Sequence, residues 1–315
     1  MTTIVAIFAD THIGSTVALC PPTVTTDDGM VYHPSKAQSW LWACWLDYWH
    51  TVEQLAEQHN QCHIIAIMNG DLFENQHHQS SQIWSLNPQD WQNAAHAAFS
   101  IIPHDIMYIL RGTEAHSGPS AHLEEQFAKA INAARHPDHD TYSHWHLDIE
   151  IEHVHFDICH KGPIGRLPWT RPNALNRLAY EIIDEALHHQ TQPPHIAIRA
   201  HNHIAEENSP RSKVRVFALP SWQLRTAYVD SKGLPRIADI GALIFICEAG
   251  SWTAQTKLYR PSHKTNSLTH YSTPKSPTLT PTALAPSNNS PNSPTDPSPT
   301  SANALNNSPN KAYSE

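Results

Sequence analysis

Short apolar runs that each stop at a polar turn are the feature that most constrains the fold of this 315-residue chain. Thr3–Ala9 is almost entirely apolar and rich in β-branched residues, which is typical of a strand covered on both faces. Comparable runs occur at Ile64–Met68, Ile106–Leu110 and Ile196–Ile198. His153–Cys159 instead alternates apolar and polar residues, which predicts a strand with one buried face.

Segments with apolar residues three and four positions apart lie between these runs and predict helices. They cover Gln38–His59, Pro88–Ile101, Ser120–Ala134 and Pro172–His188. After residue 203 the pattern changes to short strands that follow one another without a long helix. These are Val214–Leu219, Arg225–Val229, Ala242–Cys247 and Trp252–Tyr259. Together the segments indicate a mixed α/β fold, and two sheets account for them better than one.

The last part of the chain has a different composition. Residues 261–315 contain 10 of the 25 prolines and none of the 10 glycines. No apolar periodicity remains there to offset the entropy of ordering, so we predict a folded domain over residues 1–260 and a disordered tail over 261–315. The tail has three lysines against Asp296 and Glu315, which leaves residues 1–260 with a net charge of −10. An acidic body argues against a long nucleic-acid surface, which needs clustered Lys and Arg.

The sequence shows no sign of export or membrane insertion. The N-terminus lacks a basic region before its short apolar run, and no stretch of about 18 apolar residues occurs. The five cysteines are scattered without a CxxC pair, which is typical of reduced thiols rather than a disulfide framework. We therefore expect a cytoplasmic protein with no membrane partner.

Carboxylate and imidazole side chains stand directly after the predicted strands. In chain order they are Asp10 and His12 in FADTHIG, Asp71 in MNGDLFEN, Glu114 and His116 in RGTEAHSG, His160 in DICHKGPIG, and His201 and His203 in IRAHNHIAE. Strand ends of open α/β sheets meet at one edge, where such folds build their sites. Residues two apart point to the same side of an extended backbone, so DTH and HNH can each grip a metal ion. Mixed oxygen and nitrogen ligands suit Mn²⁺, Fe or Zn²⁺ rather than Ca²⁺.

The order of these blocks resembles the calcineurin-like metallophosphoesterase superfamily, whose pattern is D-x-H, G-D, G-N-H-D/E, H and G-H-x-H. Five separated blocks in the right order, from Asp10 to His203, are a specific signal, because a site is best recognised by a consistent constellation. The details of RGTEAHSGP further resemble phage and prophage members of this group. The resemblance implies a four-layer αββα sandwich of two mixed β-sheets flanked by helices, which agrees with the two sheets predicted above.

The resemblance also implies a site for two divalent metal ions, with Mn²⁺ as the first choice and Fe or Zn²⁺ as alternatives. Mapped by position, the first ion would be held by Asp10, His12 and His203, both ions would be bridged by Asp71, and the second would be held by His160 and His201. The implied activity is hydrolysis of a phosphomonoester or phosphodiester by in-line attack of a metal-bound hydroxide, while the metals neutralise the phosphoryl oxygens.

The sequence departs from the family pattern in two blocks. Ala200 stands where the last block usually has glycine, a small change. In the third block, strict alignment places Thr113 on the family's metal-binding Asn and Glu114 on its His. We expect Glu114 to complete the second metal site and His116 to assist the leaving group or orient the phosphate. The alternative is that Thr113 is the ligand and Glu114 acts through water.

Residues around His160 and in later loops have less specific signals. Arg166 and Arg171 lie in a Gly/Pro-rich loop and are candidates to steady a phosphate, although they fit equally well as solvated loop charges. Trp169 and Trp222 follow motif-bearing segments, and of packing or stacking on a base we favour packing.

The expected substrate is a phosphate ester, with a nucleotide or a short single-stranded nucleic acid among the candidates; the sequence leaves the oligomeric state open. Two other functions fit the same blocks. One is a metal-binding or scaffold protein that keeps the fold but has lost turnover, as the altered third block suggests. The other is a DNA-processing nuclease of the same superfamily, which the acidic body disfavours.

Overall fold

The computed structural model describes residues 1–59, 62–75, 82–233 and 237–261. The predicted tail lies outside the described residues except for Pro261, so the tail and the domain boundary stay predictions. The strands are β1 Thr2–Phe8, β2 Val24–Thr25, β3 Val31–Tyr32, β4 His63–Asn69, β5 Ile106–Leu110, β6 Ser143–His144, β7 His146–Ile151, β8 Val154–Cys159, β9 Ile196–Arg199, β10 Glu206–Glu207, β11 Arg215–Ala218, β12 Ile240–Glu248 and β13 Ser251–Tyr259. The helices are α1 Lys36–Gln58, α2 Pro88–Phe99, α3 Glu114–Ser117, α4 His122–Ala130, α5 Arg171–His188 and α6 Ala227–Ser231.

Two mixed sheets organise the domain, as the sequence predicted. The first has the strand order β13-β12-β1-β4-β5-β6. Strands β1, β4, β5 and β6 pair in parallel, β12 pairs antiparallel with β1, and β13 pairs antiparallel with β12. The second has the order β10-β11-β9-β8-β7, with three parallel central strands and an antiparallel strand at each edge. Strands β2 and β3 form a separate two-stranded ribbon.

Alternate residues of β1 show how the layers stack. Ile4 and Phe8 face the helices, where the Phe8 ring meets Trp45 of α1 edge-to-face at 5.2 Å between centroids. Val5 and Ile7 face the second sheet and join a core that both sheets share. Because both faces of β1 are covered, its apolar run is continuous.

A third core lies on the outer face of the second sheet. Leu175 and Ala179 of α5 pack there against Ala197 of β9 and Val216 of β11. The order is thus helices, first sheet, second sheet and helix, which confirms the predicted four-layer αββα sandwich.

Local signals explain most element boundaries. Helix α1 begins after Ser35, whose hydroxyl accepts from Gln38 N while the Gln38 side chain accepts from Ser35 N. The predicted helix over Ser120–Ala134 begins only at His122, because Ser120 and Ala121 have positive φ.

One predicted strand is wrong. Arg225–Val229 contains no strand, and helix α6 occupies this region instead. The Thr226 hydroxyl caps α6 by accepting from Val229 N, a local bond that a short apolar–polar alternation does not reveal.

The five cysteines are all free thiols. Within the described residues, no helix is long and apolar enough to cross a membrane.

Candidate metal centre

The loops after β1, β4, β5, β8 and β9 meet at one edge of the two sheets. Backbone hydrogen bonds tie them together: Asp10 N donates to Gly70 O at 3.0 Å, and His12 N donates to Asp71 O at 3.1 Å. Ala200 N likewise donates to His160 O at 2.7 Å. The side chains that these loops carry therefore converge, as their strand-end positions predicted.

Several residues of these loops have a positive φ angle, which is uncommon for residues other than glycine. Twelve non-glycine residues of the described chain have positive φ, and five of them are predicted metal ligands. The five are Asp10, His12, Asp71, His201 and His203. Such conformations cost roughly 1–3 kcal/mol each and are found mainly at functional sites, where the surrounding structure enforces them.

The first cluster consists of Asp10, His12 and His203. His203 Nε2 lies 3.3 Å from Asp10 Oδ1, and His12 Nε2 lies 3.8 Å from the same oxygen. The two imidazole Nε2 atoms are only 3.2 Å apart. Asp10 and His12 are almost fully buried, whereas His203 is partly exposed.

The second cluster consists of Asp71, His160 and His201. His160 Nε2 lies 3.0 Å and His201 Nδ1 lies 3.6 Å from Asp71 Oδ2. His160 Nδ1 is 2.7 Å from Asn69 O, which can only accept, so Nδ1 carries the proton. This outer partner orients the ring, so that Nε2 is the nitrogen that faces the Asp71 carboxylate and is left for a metal ion.

The donor atoms of both clusters fit divalent cations. Asp10 Oδ1, Asp71 Oδ2 and His160 Nε2 are buried, and none of them makes a well-formed hydrogen bond within the part of the chain that the structure describes. His160 Nε2 and Asp71 Oδ2 lie 3.0 Å apart and repel each other unless a proton or a cation lies between them. Three carboxylate or imidazole groups in each cluster, with both oxygen and nitrogen donors, are typical of Mn²⁺, Fe or Zn²⁺ sites.

The carboxylates and histidines of the two clusters shift each other's pKa values. Burial lowers the pKa of His12 and His160, but neighbouring carboxylates more than reverse this effect. Asp10 and Glu74 raise the pKa of His12 to about 10, and Asp71 raises that of His160 to about 9. Burial raises the pKa of Asp10 and Asp71, yet the histidines bring both well below the usual range. His12 and His160 thus hold protons that a divalent cation would displace on binding.

Asp10, rather than Asp71, is the carboxylate that approaches both clusters. Asp10 Oδ1 lies 3.3 Å from His203 Nε2 and 4.0 Å from His160 Nε2, and Oδ2 accepts from His201 N at 3.2 Å. Asp71 Oδ2 contacts the second cluster, while its Oδ1 accepts from Thr113 N at 2.6 Å and from Thr113 Oγ1 at 2.9 Å. A bridging role for Asp71 therefore remains a prediction.

Glu114 does not lie with the second cluster, where we expected it. Its side chain is exposed at the start of α3, and Oε1 accepts from Ser120 N at 3.3 Å. The chain bends between Thr113 and Glu114, so Thr113 is buried against Asp71 while Glu114 is exposed to solvent. Thr113, and not Glu114, thus contacts a residue of the second cluster, which favours the alternative in which Thr113 is the ligand; that assignment stays a prediction.

Substitutions in this block should separate the two assignments. Thr113→Val removes a donor that orients Asp71, so we expect the affinity of the second metal ion to fall by about tenfold or more. Glu114→Ala should leave the affinity at its wild-type value. Titration of each variant with Mn²⁺, followed by electron paramagnetic resonance, measures this. A loss of affinity in Glu114→Ala, with none in Thr113→Val, would restore the original assignment.

Glu74 is a residue of the site that the sequence analysis missed. Its Oε2 lies 2.9 Å from His12 Nδ1 and accepts from Gln223 Nε2 at 2.7 Å, while Oε1 lies 3.5 Å from His116 Nδ1. Burial raises the pKa of Glu74, but the two histidines bring it far below its usual value. Glu74 therefore lies between the two rings and places a carboxylate next to a nitrogen of each. Its place three residues after Asp71 in GDLFE was a visible signal.

Glu124 is a second missed residue, and it holds two ligand-bearing loops together. This fully buried carboxylate accepts from Leu72 N at 3.0 Å and from Gly112 N at 2.6 Å. The loops touch so closely that a Cβ on Gly112 would lie 2.1 Å from Asp71 N. Burial, reinforced by the Asp71 carboxylate, raises the pKa of Glu124 to about 7.

A cavity of about 680 Å³ opens beside the second cluster. Its lining includes His116, His160 and His201, the basic residues Arg111 and Lys161, and the acidic residue Glu114. The predicted phosphate-binding residues Arg166 and Arg171 are not among its described lining residues, and Arg166 is exposed. Of the tryptophans considered, Trp222 is fully buried, as favoured, whereas Trp169 is 72% exposed.

The chain is similar to known proteins in its three-dimensional structure, but comparisons of its sequence find no match. No family model matches the chain, and no curated protein matches it. Similar solved structures include a predicted phosphoesterase from Streptococcus pneumoniae, with 9% identity, a TM-score of 0.31 and coverage of 82% of this chain and 99% of that one. A metallophosphoesterase from Sphaerobacter thermophilus has 12% identity, a TM-score of 0.32 and coverage of 82% and 89%.

A dimetal phosphatase from Danio rerio has 10% identity, a TM-score of 0.36 and coverage of 81% of this chain and 98% of that one. Identities and TM-scores this low leave the function to be argued from the site itself.

Proposed function

We propose that this chain is a metallophosphoesterase that hydrolyses a phosphomonoester or phosphodiester with the help of two divalent metal ions. The observation that carries the proposal is the pair of adjoining Asp/His clusters, in which Asp10 Oδ1 and Asp71 Oδ2 are buried and have no well-formed hydrogen bond to any described residue. Two cations at such a site supply the charge that activates a water molecule and neutralises the phosphoryl oxygens. Mn²⁺ is our first choice, with Fe or Zn²⁺ as alternatives.

The roles of the chain's own residues follow from their contacts. Asp10, His12 and His203 would hold one ion, and Asp71, His160 and His201 would hold the other. Lys161 and Arg111 line the cavity beside the second cluster and would attract the substrate phosphate.

His116 is the candidate to protonate the leaving oxygen. It lines the cavity, its ring stands 4.5 Å from that of His12, and Glu74 faces its Nδ1. A carboxylate on one ring nitrogen orients the imidazole and leaves the other nitrogen to act as an acid.

His116→Ala should reduce kcat by about hundredfold for an alkyl phosphate ester. The loss should be much smaller for a p-nitrophenyl ester, because p-nitrophenolate leaves without a proton. Steady-state kinetics on the two esters measure this difference, with the exposed His188 on α5, changed to alanine, as control. An equal loss for both esters would contradict the assignment of His116 as the acid.

The test of the proposed function is a screen of p-nitrophenyl phosphate and bis-p-nitrophenyl phosphate with added Mn²⁺, Fe²⁺ or Zn²⁺. We expect hydrolysis of one ester class by the wild type and none by Asp71→Asn. Metal binding without hydrolysis would favour the second candidate, a metal-binding protein without turnover. The position of Glu114 outside the second cluster is the observation that keeps this candidate open.

A further inference from the structure

Trp145 is held at the edge of the cavity by both sheets. The residue before it, His144, pairs with Leu110 in the first sheet, and the residue after it, His146, pairs with Cys159 in the second. Leu110 and Cys159 are the last residues of the strands that lead to Thr113 and His160. The crossing from one sheet to the other therefore fixes Trp145 between two ligand-bearing loops.

Arg111 fixes the indole from one side. Its guanidinium carbon lies 5.3 Å from the Trp145 ring centroid, a cation–π arrangement. Arg111 Nε donates to Ser143 Oγ at 2.8 Å, and Nη2 donates to Glu125 Oε2 at 3.3 Å. Glu125 also accepts from the backbone N–H groups of Tyr142 and Ser143. Arg111, which is itself held by Ser143 and Glu125, thus fixes the position of the Trp145 indole.

Trp145 nevertheless remains open to solvent. Its side chain is 52% exposed and lines the cavity, whereas Trp45, Trp49 and Trp222 are buried in the core. Trp169 is also exposed, but it does not line this cavity among the described residues. An exposed, rigid indole at a cavity wall is a surface on which a flat ring can stack.

The size and charge of the cavity limit its ligand. A volume of about 680 Å³ suits a small-molecule ligand and is far more than a lone phosphate needs. The basic residues Arg111 and Lys161 outnumber the acidic Glu114 in the cavity lining, whereas a net charge of −10 over residues 1–260 repels a long polyanion. The combination favours a mononucleotide over a nucleic-acid strand.

We propose that Trp145 is a nucleobase-stacking residue and that the substrate is a nucleotide, whose phosphate reaches the metal centre while its base lies on the indole. This inference rests on the proposed function, because it deepens the substrate class of the same site. Stacking on an aromatic side chain tolerates any base, since every base has a π-face.

The test compares the binding of AMP and of ribose 5-phosphate, which has the same phosphate ester but no base. In isothermal titration of the Mn²⁺-loaded full chain with the phosphonate analogue of each compound, which the chain cannot hydrolyse, we expect the AMP analogue to bind about tenfold or more tightly. Trp145→Ala should bring this ratio close to one, and Trp145→Phe, which keeps an aromatic ring, should retain part of it. Trp169→Ala, the matched control, should leave the ratio unchanged.

Two results would overturn the inference: equal binding of AMP and ribose 5-phosphate by the wild type, or a ratio that survives Trp145→Ala. Either one, together with hydrolysis of p-nitrophenyl esters, refutes the nucleotide specificity and leaves the proposed function standing. An AMP preference that depends on Trp145, in a chain whose hydrolysis equals that of Asp71→Asn, supports stacking while refuting the proposed function.

Discussion

Asp71→Asn should lower phosphoester hydrolysis by at least about thousandfold while leaving the fold intact. The substitution removes the negative charge that the second cluster offers to a cation, and each 1.36 kcal/mol of lost transition-state stabilisation is about tenfold in rate. The fold should tolerate it because asparagine has the same shape. Its amide oxygen can accept from Thr113 N and Oγ1, and its NH₂ group can donate to His160 Nε2.

Steady-state kinetics with saturating Mn²⁺ measure the loss, and the melting temperature reports on the fold. Asp148→Asn is the matched control, since this aspartate is 65% exposed on β7 and lies in neither cluster. We expect the control to hydrolyse at the wild-type rate. A folded Asp71→Asn protein with wild-type kcat would show that hydrolysis does not depend on this centre.

Glu124→Ala should reduce both stability and activity, although Glu124 touches no substrate. Removing the carboxylate leaves Leu72 N and Gly112 N buried without acceptors, so we expect the free energy of unfolding to fall by about 2–4 kcal/mol. The loops that carry Asp71 and Thr113 lose their common anchor. Because small misplacements are costly in catalysis, kcat should fall by about hundredfold.

Urea unfolding measures the stability change, and kinetics well below the melting temperature measure the activity of the folded fraction. Glu181→Ala, at an exposed position of α5, is the control and should stay within about 0.5 kcal/mol of the wild type. If Glu124→Ala unfolds at the same urea concentration as this control, Glu124 is not the anchor of the two loops.

The positions of the predicted ligands could be predicted from the sequence because residues that follow parallel strands lie at the same edge of a sheet. Asp10, Asp71 and His160 follow apolar runs that form strands, and parallel strands end at one edge. This rule gathers the ligands within each sheet, and the packing of the two sheets against each other brings the two sets together. The continuous apolar run of β1 predicts burial on both faces, and the alternation along β8 predicts burial on one face.

The remaining features depend on tertiary contacts that no local pattern encodes. Glu124 lies on a helix, and its role appears only when the loops after β4 and β5 come together. Whether Thr113 or Glu114 contacts the second cluster depends on the direction in which the chain bends after β5. Trp145 adjoins no motif in the sequence, and only the crossing between the sheets brings it to the cavity.

The metal content of the full chain tests the central claim most directly. Wild-type protein equilibrated with Mn²⁺, freed of excess metal and examined by plasma mass spectrometry should contain two ions per chain, and Asp71→Asn should contain at most one. Chelation should remove both ions together with the hydrolytic activity, and added Mn²⁺ should restore both. Wild-type protein that binds no divalent ion, or that hydrolyses esters undiminished after chelation, would contradict the account.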